Sequence, residues 1–365
     1  MRLKELCSFL ESFAPLAYQE SYDNSGLLVG NPEMDIRGAI ISLDCTEEVV
    51  DEAIRKGCNL VISHHPLVFK GLKRFTGSSY VDRTLIRAIK NDVALYAIHT
   101  NLDNVSEGVN KALAEKLGLR NVRILAPKSG ILKKLVTLCP IEQASAVREA
   151  LFAAGAGEIG HYAQCSFNVA GEGTFTAQDG ANPFVGSIGV PQTESELRIE
   201  VLYPEPIEKT LLLALKQAHP YEEVAYFLQT LSNTHQEIGS GMVGELSEEQ
   251  DALTVLQYIK SQLGVPVIRH TRLLSKKIKK VAICGGSGSF LLPNALAAGA
   301  DLFVTADYKY HDFFDADKRL VIADVGHFES EQFTQTLLFE TITKNFPNFA
   351  LHLTEQVTNP VKYLI

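Results

Sequence analysis

Residues 58–71 read CNLVISHHPLVFKG. Leu60, Val61 and Ile62 form a short apolar run that stops at Ser63, His64, His65 and Pro66. Such a run, closed by a glycine on one side and a proline on the other, reads as a strand buried on both faces. The residues before it, TEEVVDEAIRKG (46–57), read as a helix: Thr46 caps it, Glu47 and Glu48 suit its positive end, and Gly57 stops it. GAIISLD (38–44) is a second strand. Beyond the histidines, YVDRTLIRAIKND (80–92) is a helix, VALYAIH (93–99) a strand, and SEGVNKALAEKLG (106–118) a further helix. Buried strands alternating with helices predict a mainly parallel α/β sheet. Ligands of such sheets gather at the carboxyl ends of the strands, which is where His64, His65 and His99 stand.

The same series recurs towards the C-terminus. KKVAIC (279–284) is a strand, FLLPNALAAG (290–299) a helix, ADLFVTADYKYHDF (300–313) a strand running into a polar loop, KRLVIADVGH (318–327) a strand, and ESEQFTQTLLFETITK (329–344) a helix. IRKGCNLVISHHP (54–66) and LAAGADLFVTADYKYHD (296–312) share their element order, which suggests a diverged internal repeat and two pseudo-symmetric βαβ-type halves. Between the halves, KLVTLCP (134–140), EQASAVREALFAAG (142–155), QCSFNVAGEG (164–173), ELRIEVLYP (196–204), IEKTLLLALKQAHP (207–220) and EVAYFLQTL (223–231) give the order βαββαβ. That is the ferredoxin-like pattern. The expected organisation is a discontinuous α/β domain over 1–127 and 235–365, interrupted by an inserted α+β domain over 128–234. The polar, glycine-bearing stretches APKSG (126–130) and NTHQEIGSG (233–241) mark the junctions.

Bulk properties narrow the function classes. The chain has 365 residues, 46% of them hydrophobic, so a large core is available. A net charge of −9 provides no electrostatic footprint for a nucleic-acid backbone. The six cysteines form no CxxC pair, which argues against a disulfide framework or a zinc ribbon and fits a reducing compartment. The N-terminal MRLKELCSFLESFAP is amphipathic and carries acids, unlike a signal peptide, and no apolar run reaches membrane-spanning length. A cytoplasmic location is the expectation.

Each repeat places a histidine at a strand end and a carboxylate four residues later: His99 with Asp103, and His327 with Glu331. In a helical turn these positions share a face. With His64 and His65 they bring imidazoles and carboxylates to three strand ends, a donor set suited to zinc, iron, manganese, cobalt or nickel. Taken singly, His327 reads equally well as a helix cap, and the histidine pair as a partner for backbone groups. Taken together, His64, His65, Asp103, His327 and Glu331 exceed the roughly three protein ligands of one catalytic metal. Neighbouring side chains diverge, so adjacent histidines suit two ions side by side, with a carboxylate such as Glu331 as bridge. Two ions about 3.5–4 Å apart would supply hydroxide at neutral pH and hold a charged intermediate.

The stretches YDNSGLLVG (22–30), SHHPLVFKGLK (63–73), HTNLD (99–103), DYKYHDF (307–313) and DVGHFESE (324–331) together resemble the Nif-three-like proteins, also called GTP cyclohydrolase I type II homologues or dinuclear-metal-centre proteins. The resemblance spans essentially the whole chain, since longer members carry a similar insert resembling the PII and CutA class. It implies that His64, His65, Asp103, His327 and Glu331 are the metal ligands, that two divalent ions bind per subunit, and that subunits form a toroidal homohexamer, a trimer of dimers, with sites facing an internal cavity. It also implies a metal-dependent hydrolase acting on a nucleotide-like or phosphorylated small molecule; the alternative is a non-catalytic, metal-binding or regulatory ring. The family's usual glycine before the aspartate of this loop is replaced by Ala306.

Further candidates surround this set. His99 is a candidate general acid or base, or a group supporting a ligand, and Glu331 is the other candidate catalytic residue. Tyr308 and His311 occupy the repeat position of the histidine pair; they contact substrate or close the loop. CGGSGS (284–289) opens a helix after a strand, so the amides near Gly286 and Ser287 either hold a phosphate or form a tight turn. HPYEEVAY (219–226), in the insert, reads mainly as a structural corner.

Overall fold

The computed structural model describes residues 1–364. The described residues form a mixed α/β protein with three sheets. It separates into two compact units, one formed by Met1–Pro127 and the chain from Gln236 onward, the other by Lys128–His235. Among the described residues no helix is long and apolar enough to cross a membrane.

The first unit holds two sheets. The five-stranded one runs Gly26–Val29, Ala94–Ala97, Leu60–Ser63, Gly38–Ser42, Ala350–Leu353. Its four strands from Ala94–Ala97 to Ala350–Leu353 are parallel, and Gly26–Val29 is antiparallel at one edge. Every residue of Gly38–Ser42, Leu60–Ser63 and Ala94–Ala97 is buried, as the unbroken apolar runs require. Ile40, Val61 and Leu95 pack under Val50 and Ala53 of the helix Glu47–Arg55 and Leu85 and Ala88 of the helix Tyr80–Lys90. Thr46 and Ser79 cap these two helices by accepting from the amides of Val49 and Asp82.

The six-stranded sheet runs Arg269–His270, Val321–Asp324, Leu302–Ala306, Ile278–Ser287, Thr234–Gln250, Arg120–Ser129. Its inner strands Val321–Asp324, Leu302–Ala306 and Ile278–Ser287 are parallel; Arg269–His270 and Thr234–Gln250 are antiparallel additions. The expectation of a mainly parallel sheet therefore holds for the five-stranded sheet and, in the six-stranded one, for the inner strands. The last strand, Ala350–Leu353, joins the five-stranded sheet rather than the six-stranded one that precedes it in the chain. It lies so close to Gly38 that a Cβ there would stand 2.9 Å from the Ala350 carbonyl oxygen, so only glycine fits this crossing.

The second unit has a four-stranded antiparallel sheet in the order Phe167–Thr176, Pro191–Pro204, Leu132–Pro140, Tyr226–Thr230. The helices Ala144–Ala153 and Glu208–Ala218 supply Val147, Leu151, Leu211 and Leu215 to a core shared with Leu135, Cys139, Ile199, Val201 and Tyr203. His219 closes the second helix as a structural corner: its Nε2 lies 2.8 Å from the Leu138 carbonyl and its Nδ1 accepts from the Tyr221 amide at 3.1 Å.

Candidate metal centre

Parallel strands of similar length deliver their following residues to one edge. The His64 amide bonds the Ser42 carbonyl and the Ile98 amide bonds the Ser63 carbonyl, which aligns the three strand ends of the first sheet. His99 lies just before the short helix Thr100–Asp103, and His327 begins the short helix His327–Glu331. The turn between each histidine and its carboxylate is thus helical, as the four-residue spacing requires.

The five residues converge. His64 Nε2 lies 3.6 Å from Asp103 Oδ1 and 3.9 Å from Glu331 Oε1. His65 Nε2 lies 3.0 Å from Glu331 Oε2, His327 Nε2 lies 3.1 Å from the same oxygen, and the two Nε2 atoms are 3.1 Å apart. Two groups able to hold a metal ion result, His64–Asp103–Glu331 and His65–His327–Glu331. Each uses a different oxygen of Glu331. A third grouping joins His99 to His64 and His65.

What lies behind each ring fixes its tautomer. His64 Nδ1 donates to the Ile98 carbonyl at 2.8 Å, His65 Nδ1 to Asp44 Oδ1 at 2.8 Å, His99 Nδ1 to Asp23 Oδ1 at 2.8 Å and His327 Nδ1 to Asp307 Oδ2 at 2.7 Å. With Nδ1 committed, Nε2 of each ring is the atom left to face the centre, the arrangement that orients metal-ligating imidazoles. Asp23, Asp44 and Asp307 are the functional residues that sequence reasoning did not single out. Asp44 and Asp307 stand just past the carboxyl ends of the buried strands Gly38–Ser42 and Leu302–Ala306, which was the available signal, whereas Asp23 precedes the strand Gly26–Val29 and carried none. Asp307 adopts a left-handed backbone with φ of 58°, unusual for a residue other than glycine.

The electrostatics call for positive charge. His64 Nε2 and Asp103 Oδ1 are sealed from solvent without a hydrogen-bond partner, a cost that a cation between them would remove. Burial alone would lower the pKa of His65, but hydrogen bonds to Asp44 and Glu331 outweigh it and raise it to about 9. For His327, bonds to Asp307 and Glu331 likewise overcome burial and raise it to about 11. Burial, and then the charge of Glu331, push Asp103 up to about 7. Glu331 goes the other way: burial opposes its ionisation, but hydrogen bonds from His327 and His65 hold it well below its ordinary value. The hydrogen bond from His327 lowers Asp307. Protons supply the missing charge when no metal does, and a divalent ion meets the same demand more completely.

Asp44, His65, Asp103, Asp307, His327 and Glu331 line a cleft of about 970 Å³ in the first unit, and His64 is buried behind them. His99 and Ser287 also line it. Gly286 stands behind Glu331 with φ of +61°, where a Cβ would come within 2.2 Å of Glu331 Oε1; its amide donates to Ser330 Oγ and that of Gly285 to Asn110 Oδ1. Those two amides are therefore occupied, and the turn holds the carboxylate in place. Tyr308 is buried in the core against Phe303 and Phe313. His311 is exposed, packs against Tyr310 and Phe314, and is not among the lining residues.

Residues 1–360 match the family model for Duf34/NIF3 (NGG1p interacting factor 3). A protein of Bacillus subtilis called GTP cyclohydrolase 1 type 2 homolog is 37% identical over 371 residues, covering 99% of this chain and 98% of its own. A Staphylococcus epidermidis protein of the same name is 34% identical over 367 residues, covering all of both chains. The crystal structure of a Bacillus cereus protein related to NIF3 superposes with a TM-score of 0.86 at 38% identity, covering 100% of this chain and 99% of that one.

Proposed function

The chain belongs to the Duf34/NIF3 family, and from that premise we propose that the cleft binds two divalent metal ions and carries out metal-dependent hydrolysis of a nucleotide-like or phosphorylated small molecule. The observation that carries the reading is the division of Glu331, one oxygen towards His64 and Asp103 and the other towards His65 and His327. His64, Asp103 and Glu331 would hold one ion; His65, His327 and Glu331 the other. When bound, such a pair activates water and polarises a substrate oxygen. The names of the relatives point to ring opening of the GTP cyclohydrolase kind as the reaction class.

The protein's own groups supply the rest. Asp44 and Asp307 keep the His65 and His327 rings turned so that Nε2 faces the centre. His99 opens on the cleft with its Nδ1 bonded to Asp23, whose carboxylate also accepts from the amide and hydroxyl of Thr100 and is held ionised. This pair is built like a general acid or base and its orienting carboxylate, and we assign it the movement of a proton to or from the substrate.

We read the matching inner strands of the two large sheets as diverged halves, and the second unit as a ferredoxin-like insert; its antiparallel order, with a helix after the first and third strands, supports this. The resemblance to the family favours a ring-shaped homohexamer, which sedimentation analysis will detect. The functional test is turnover. Protein loaded with zinc, manganese, cobalt or iron is assayed on guanosine, GMP, GTP and phosphoesters. Turnover that falls at least 100-fold in His99→Ala, at unchanged metal content, supports the reading. Metal-loaded protein without turnover on any of these would instead favour a metal-binding or regulatory ring.

A further inference from the structure

The walls of the cleft are unusual for a protein whose relatives are named for GTP. Among the described lining residues the sole cationic side chain of lysine or arginine is Arg269. It is already engaged: Nη1 meets Asp324 Oδ2 at 3.1 Å, Nη2 donates to the Tyr308 carbonyl at 2.7 Å, and the guanidinium lies over the Phe313 ring. Lys70, Lys73 and Arg74 follow Phe69 on an exposed stretch but are not among the lining residues. The amides of Gly285 and Gly286 are taken by Asn110 and Ser330.

The charge of two divalent ions is itself offset in full by the carboxylates of Asp103, Glu331, Asp44 and Asp307, because metal-bound imidazoles are neutral. A loaded centre of this composition has little net attraction for a polyanion; Asp324 and Arg269 offset each other, and Glu329 adds negative charge to the lining. A nucleoside triphosphate, with several negative charges, would meet repulsion beyond the ions. What the cleft does present is aromatic surface. Tyr22, Phe69, Tyr80 and Phe290 line it and are each about half or more exposed; Phe69 stands edge-on to His99 at 5.6 Å between ring centres. Aromatic faces bind flat heterocycles by stacking.

We propose that the cleft selects a flat, uncharged heteroaromatic ring carrying at most one anionic group, which reaches the ions, and that it discriminates against polyphosphates. The proposal rests on the dinuclear reading above and narrows its substrate class to nucleosides, nucleobases or their monophosphates.

The test is calorimetric titration of guanosine, GMP and GTP into protein whose metal content has been measured as two equivalents, at 0.15 M salt. Guanosine and GMP are expected to bind within about threefold of each other and GTP at least tenfold more weakly. Phe69→Ala, a half-exposed position, is expected to weaken guanosine binding about tenfold with both metals retained. Affinity that rises with each added phosphate overturns the proposal, as does absence of guanosine binding or indifference to Phe69→Ala. A metal content near zero would instead sink the dinuclear reading itself, so the two failures are distinguishable.

Discussion

At the residue scale the centre depends on groups that never touch an ion. Asp44 accepts from His65 Nδ1 through Oδ1 and from the Thr358 hydroxyl through Oδ2 at 2.7 Å. Replacing it by asparagine keeps the shape but removes the charge that fixes the imidazole tautomer. Asp44→Asn is expected to weaken metal affinity 10- to 100-fold, the usual cost of losing such a partner, while Thr358→Ser leaves it unchanged. Competition against a chromophoric chelator measures both. The convergence of His64, His65, Asp103, His327 and Glu331 was foreshadowed in the sequence because two adjacent histidines and two four-residue spacings have few structural uses. The orienting aspartates were not, because a single acid after a strand has many uses, and only the folded chain shows that Asp44 and Asp307 meet imidazoles 21 and 20 residues away.

At the scale of elements, the C-terminal strand and the segment after it show where local sequence stops being informative. Ala350–Leu353 is short and partly exposed, and nothing in it selects a partner over 300 residues earlier. Its attachment is made by Glu52, buried on the helix Glu47–Arg55, which accepts from the Thr354 hydroxyl and the Glu355 amide and pairs with Lys56. Burial opposes ionisation of Glu52, but these bonds win and lower its pKa below the ordinary 4.5. The sign follows: a carboxylate with a depressed folded pKa adds stability above its unfolded pKa and loses it as pH falls through the folded value. Glu52→Gln is therefore expected to cost about 1–3 kcal/mol at pH 7 and to flatten the loss of stability below pH 4.5. Urea unfolding at pH 7 and pH 3.5 checks this; an equal difference between the two proteins at both pH values would contradict it. The helices Glu47–Arg55 and Tyr80–Lys90, by contrast, were readable end to end, since caps, charge placement and apolar spacing all agreed.

At the scale of the molecule, the order of elements was legible along most of the chain, while the number of sheets was not. The inner strands of each half carry the buried apolar runs that periodicity detects. The edge strands Gly26–Val29, Arg269–His270 and Ala350–Leu353 are short and half-exposed, and whether they close one sheet or two is decided by pairings distant in sequence. What this architecture achieves is the meeting of His64, His65 and Asp103 from the first sheet with His327 and Glu331 from the second, so that Glu331 faces both sets. The central claim is that this meeting holds two ions across one carboxylate. Its most direct test is elemental analysis after equilibration with excess zinc or cobalt and desalting, on the wild-type chain and the variants His64→Ala, His327→Ala and Glu331→Gln. The expected contents are two equivalents for the wild type, one for each histidine variant, and less than one for Glu331→Gln. A wild-type content of one or none, or two equivalents retained by Glu331→Gln, would contradict the account.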